Sequence, residues 1–129
     1  MILAILVFGM AGAVVELLFL RHYEDPWQFI PILLIMTGIV AAVWHSGSQS
    51  LSSLWVLRVI MGAFVLSGVL GVWLHARGSS EFQKEVDPSI RGFELFMKVM
   101  QSKAPPALAP GLMAQLGLLG LAFTYKGGS

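Results

Sequence analysis

Polar and apolar residues are segregated along this chain rather than alternating. Apolar residues come in long runs, and the polar ones gather between them. The runs cover about Ile2 to Leu20, Trp27 to Trp44, Leu54 to His75 and Leu108 to Tyr125. Roughly 20 mostly apolar residues carry a helix across a hydrocarbon layer of about 30 Å. Backbone groups in lipid must bond internally, so each run predicts a transmembrane helix. The runs lack the strict alternation of a membrane barrel. The pattern therefore predicts an all-α protein: one integral membrane domain over residues 1–129, built as a four-helix bundle.

The connectors refine this. The first is short and closes on Asp25-Pro26, a helix-start signal. The second, Ser46 to Ser53, is rich in Ser and Gly and carries no charge. The third, Arg77 to Pro106, is about thirty residues long and holds most of the charge. Within it Asp87-Pro88 reads as an N-cap followed by a first helical turn. Phe93, Phe96, Met97 and Met100 then recur at i, i+3, i+4 and i+7, with Glu94, Lys98 and Gln101 on other faces. This predicts a short amphipathic helix over about 88–102, lying in the membrane interface or docked on the protein itself. Pro105, Pro106 and Pro110 turn the chain into the last run.

Small residues spaced along each run supply faces for close helix contact in lipid. They are Gly9 and Ala13, Gly38 and Ala42, Ser67 and Gly71, and then Ala114, Gly117 and Gly120. Two uses are open: packing inside the bundle, or docking of a partner subunit.

Composition agrees with a membrane protein. The chain is 57% hydrophobic and 12% charged, where soluble domains carry about 25% charged residues. The net charge of +1 makes no case for nucleic acid as a partner. There is no cysteine, which excludes disulfides, thiolate metal sites and iron–sulfur ligation. The start lacks a charged n-region and a small-residue cleavage site, so it is expected to be a retained first span.

Arg21, Arg77, Lys84, Arg91, Lys98 and Lys103 fall on one side of the four spans, here side A. The opposite side B has Lys126, with Arg58 a few residues inside the third span. Lys and Arg in short loops mark the cytoplasmic face. Side A is therefore expected in the cytoplasm, with both termini outside, in a bacterial inner membrane. Tyr23, Trp27 and Trp73 near side A, and Trp44, Trp55 and Tyr125 near side B, form the expected aromatic belts.

One carboxylate interrupts this apolar scheme. Glu16 lies within AGAVVELLFLRHYEDPWQF, about 7 Å inside the A end at 1.5 Å per residue. Ser67 and Gln115 share its depth and His75 lies one layer closer to side A, which predicts a buried polar cluster of Glu16, Ser67, His75 and Gln115. An ionisable residue inside a membrane segment is a functional candidate by default. Three roles are open: a hydrogen-bonded register feature, proton or ion handling, and contact with a partner.

Other chemistries have weaker support. His22 and His75 share side A, but both sit at helix ends beside charged loops, so no haem is expected. His22, Glu24, Asp25 and His75 are suitable ligand types, yet their spacing matches no metal motif. HExxH, GxSxG and phosphate-loop patterns are absent. No cofactor, no metal and no enzymatic activity are expected.

Two resemblances follow from these residues. With four short spans and Glu16 in the first, the chain resembles the small multidrug-resistance exporters, whose transport depends on a first-helix glutamate and which act as dimers. It departs from them in its thirty-residue third connector. The segments PALAPGLMAQLGLLGLAFTYK and WLHARGSSEF resemble a small bacterial four-span integral membrane family of unassigned function. That resemblance implies the architecture and no activity.

The expected function is non-catalytic: an accessory or scaffold subunit of a larger bacterial membrane complex, such as an energy-converting one. Its partners would be the lipid bilayer and other membrane subunits, docked through Phe93, Phe96, Met97 and Met100. The alternative is a small proton-coupled transporter working as an oligomer through Glu16.

Overall fold

A computed structural model describes residues 1–21, 23–24, 26–102 and 108–126. His22, Asp25, Lys103, Pro105, Pro106 and the terminal Gly127-Gly128-Ser129 lie outside the described residues. The protein is all-helical, with no strand among the described residues. The helices are α1 (Ile2–Phe19), α2 (Phe29–Ser48), α3 (Leu51–Val86), α4 (Gly92–Met100) and α5 (Leu108–Lys126), with a short 3₁₀ turn at Pro26–Gln28.

Helices α1, α2, α3 and α5 are long and apolar enough to cross a membrane. They close into a ring in which α1 touches α2 and α5, and α3 touches α2 and α5. The register of the α3–α5 seam runs antiparallel: Gly71 faces Pro110, Gly68 faces Ala114, Met61 faces Gly117, and Arg58 bonds Thr124. Leu6, Met10, Ile35, Leu57, Met61 and Phe64 fill the middle of the bundle. The outer face is just as apolar, with Phe8 82% exposed and Leu33, Val59 and Leu66 also outward. Helices apolar all round belong in a core or a membrane.

The small residues are spent inside the ring. A Cβ on Gly68 would lie 2.6 Å from both the Ala114 nitrogen and the Pro110 oxygen. A Cβ on Gly117 would lie 2.7 Å from the Met61 carbonyl oxygen. Backbone meets backbone there, so only glycine fits. Gly68, one residue beyond the expected Ser67, makes the close backbone approach.

Three boundaries differ from those the pattern predicts. The α2–α3 connector is only Gln49 and Ser50, not Ser46 to Ser53. Gln49 closes α2 in the left-handed conformation (φ 47), and the Ser50 hydroxyl caps α3 by accepting from the Ser53 N–H at 3.2 Å. Capping lets Ser-rich sequence stay helical where composition reads as loop. Helix α3 also runs eleven residues past His75, to Val86. At 36 residues it is about 54 Å long, well beyond an apolar layer of about 30 Å. Its extension carries the good helix formers Ala76, Glu81, Gln83, Lys84 and Glu85 around Gly78, Ser79 and Ser80, with an Arg77–Glu81 pair at 2.9 Å on the exposed surface.

Asp87-Pro88 ends α3 rather than starting α4. A residue before proline avoids helical backbone, and Asp87 is extended at φ −136, ψ 95. The Ser89 hydroxyl and backbone N–H both donate to Asp87 Oδ1, at 2.6 and 3.0 Å. The hydroxyl bond first, then the backbone bond, holds the Asp87 carboxyl below its ordinary value. Helix α4 begins only at Gly92, whose φ of +58 suits glycine.

Helix α4 folds against α3. It buries Val99 (4% exposed), just after a turn that buries Ile90. The expected apolar stripe points elsewhere: Phe93 is 77% and Phe96 55% exposed, their rings stacked at 6.3 Å, and Met97 and Met100 are half-buried. This short helix therefore has two apolar faces, one used and one open.

Candidate functional site

The bundle is not filled evenly. Near side A the inward residues are small or cyclic: Ala13 on α1, Ser67 and Gly71 on α3, and Ala109 and Pro110 on α5. One layer deeper they are Met10, Met61 and Phe64. The small layer leaves a cavity of about 590 Å³, to which α1, α2, α3, α5 and the 3₁₀ turn all contribute. That volume lies within the usual range for small-molecule pockets, about 300–1,000 Å³.

The walls are mainly apolar, with polar groups from three elements. Glu16 comes from α1, Ser67 and His75 from α3, and Trp27 and Gln28 from the 3₁₀ turn. Glu16 flanks the stripe Met10, Ala13 and Leu17 that α1 buries, so its side chain reaches the cavity edge and is half-buried. Among the described residues its carboxylate has no hydrogen bond and no ion pair. Ser67 is half-buried and likewise makes no hydrogen bond among the described residues, while His75 is exposed at the cavity edge.

The expected cluster thus needs correcting in two respects. Glu16, Ser67 and His75 line one cavity, but the group is not buried. Gln115 is not part of it. On α5 the core face is Met113, Leu116, Gly117 and Gly120, and Gln115 lies on the opposite side, exposed. Depth along the chain placed Gln115 beside Glu16; rotation about the helix axis separates them. As for a metal, no three His, Asp or Glu side chains among the described residues gather to hold one.

The other end carries a polar constellation that the sequence pattern did not reveal. Arg58 donates to the Thr124 carbonyl oxygen at 2.9 Å and approaches the Thr124 hydroxyl at 3.4 Å. Its guanidinium lies over the rings of Trp55 and Tyr125, at 4.7 and 5.0 Å from their centroids. Thr124 is fully buried and donates its own hydroxyl to the Leu121 carbonyl. Arg58 therefore caps the C-terminal end of α5, where orphan carbonyls favour a cation. Beside it His45 Nδ1 and the Ser53 hydroxyl are 2.8 Å apart, tying α2 to α3, and the His45 ring meets Phe123 edge-on. The available signal was shared depth on antiparallel helices: Arg58 and Trp55 enter from side B where Thr124 and Tyr125 leave.

Fold and site together define a class: a four-helix bundle with the dimensions and apolarity of a multi-pass membrane protein, sealed by hydrogen bonds at one end and hollow at the other. No protein-family model, no curated protein and no solved structure matches the chain. The functional reading therefore rests on its own residues.

Proposed function

We propose that the protein is a multi-pass protein of a bacterial inner membrane and serves as a non-catalytic accessory subunit of a larger membrane complex. The observation that carries this is the stacked Phe93–Phe96 pair, open beside the α3 extension that exposes Phe82 and Val86. Inside the ring the small-residue faces are already taken, and the Phe93–Phe96 pair leaves an aromatic patch open at the side-A end. The same segments carry exposed charged residues (Arg77, Glu81, Lys84, Glu85, Glu94 and Lys98), the residue types that form the polar rim of an interface.

The test is native size in mild detergent from the native membrane, for wild type and for Phe93→Ser with Phe96→Ser. An accessory subunit migrates in a large assembly, and the double variant is released from it. Unchanged comigration of the double variant defeats the docking role. Orientation has a separate test, because the chain has no cysteine of its own. Glu85→Cys should react with an impermeant thiol reagent only from the cytoplasmic side, consistent with the Lys and Arg excess.

A second reading has a specific observation in its favour. The partnerless Glu16 at a cavity of about 590 Å³ suits a proton-coupled transporter working as an oligomer. In proteoliposomes Glu16→Gln would then abolish proton-coupled flux and leave the fold intact. An accessory subunit tolerates that change.

A further inference from the structure

The side-A cavity has a mouth, and its rim says what enters. The lining residues that stay exposed include Trp27 and Ile30 beside the start of α2, and Leu70 and Leu74 on α3. They place the opening between α2 and α3. Leu70 lies within the apolar part of α3 and Ile30 in the first turn of α2, so this side of the mouth is apolar and faces where lipid chains would lie. A water-soluble ligand gains nothing from such a rim; a membrane-dissolved one crosses it without shedding a hydration shell.

The polar groups specify the head of that ligand. Glu16 offers a carboxylate acceptor. Ser67 and the Trp27 indole offer donors, and Ser67 also accepts. A head that only donates, such as an ammonium, satisfies Glu16 and the Ser67 oxygen but gives the Trp27 indole N–H no acceptor. A hydroxyl donates to Glu16 and accepts from Ser67 or Trp27 at once. We infer that the cavity binds a membrane-dissolved amphiphile with a hydroxylated head, such as a long-chain alcohol or an alkylated phenol. The head sits at Glu16 and Ser67, and the tail leaves between Ile30 and Leu70. This rests on the reading of the four helices as membrane spans.

The probe is a diazirine-bearing long-chain alcohol, added to the full-length protein in proteoliposomes after alkaline extraction has established that the chain stays with membranes. Photolabelling should concentrate on Ile30, Leu70 and Leu74, and an unlabelled long-chain alcohol should compete it away. Loss of a hydrogen bond to a charged acceptor is worth roughly ten- to hundredfold in affinity, so Glu16→Leu should weaken labelling at least about tenfold. Ser67→Phe puts a ring where the head would sit and should reduce it sharply. Helicity and monodispersity check that both variants fold, and Leu74→Trp at the mouth gives an independent block. Equal labelling of outward residues such as Leu33, Val59 and Leu66, unmoved by any variant, would mean bulk lipid contact and overturns the site. Stronger competition by a lipophilic cation than by the alcohol overturns the hydroxyl assignment. Release of the chain by alkaline extraction overturns the membrane reading and this inference together.

Discussion

The two ends of the bundle use polar residues in opposite ways. At side B the polar groups between the helices have company. Arg58 meets Thr124 and two aromatic rings, His45 meets Ser53, and Ser48 and Ser50 extend the network to Ser53 at 3.0 and 3.1 Å. At side A the Glu16 carboxylate stands without a partner among the described residues, at the edge of a cavity. A buried polar group is costly unless bonded, and a satisfied network rigidifies what it joins. Side B is therefore built for stability. Side A forgoes stability where a ligand or a partner can act, which is how functional sites commonly differ from their scaffolds.

The largest test of that contrast attacks the seam common to both ends. Gly68→Leu drives a side chain into the backbone of Ala114 and Pro110. It should cost about 3 kcal/mol, the upper end for overpacking, and lower the thermal midpoint in detergent sharply. A midpoint equal to wild type would show that α3 and α5 are not packed at this register.

The next test compares the ends directly. Arg58→Ala removes the cap on α5 and should cost about 2 kcal/mol, the range for hydrogen bonds to charged groups. Glu16→Gln breaks no bond and should stay within about 0.5 kcal/mol of wild type, as for substitutions away from any structural feature. If Glu16→Gln proves the more destabilising of the two, side A is a structural site and the contrast collapses.

The smallest effect concerns the turn between α3 and α4. Asp87 is held below its ordinary value of 3.8 by the bonds from Ser89. Its folded value is depressed, so its contribution is complete above the unfolded value and disappears as pH falls through the folded one. NMR titration of the Asp87 carboxyl should give a midpoint below 3.8, and Ser89→Ala should raise it. A midpoint at or above 3.8 in wild type would mean the turn is open in solution.

How much of this was legible along the chain differs by level. The apolar runs named all four long helices, because length and hydropathy are local properties. The boundaries were less readable. Ser46 to Ser53 looks like a loop by composition, yet Ser50 caps a helix and Gln49 accepts a left-handed turn. Asp87-Pro88 has the form of a helix start, and the chain uses it as a stop. The polar sites were harder still. Glu16, Ser67 and His75 could be grouped by depth, but depth does not say which way a side chain points, and Gln115 was misplaced for that reason.

What the sequence alone determined is the class of helix: long and apolar on every side, with most of the charge between the runs and only Glu16 and Arg58 inside them. That follows from composition within single segments. Which helices touch, which glycines meet backbone, which end closes on Arg58 and Thr124, and which end stays hollow were decided only by the tertiary structure. Those outcomes depend on rotation and register between segments far apart in the chain. A rotation about one helix axis would turn Glu16 away from the cavity without changing a residue.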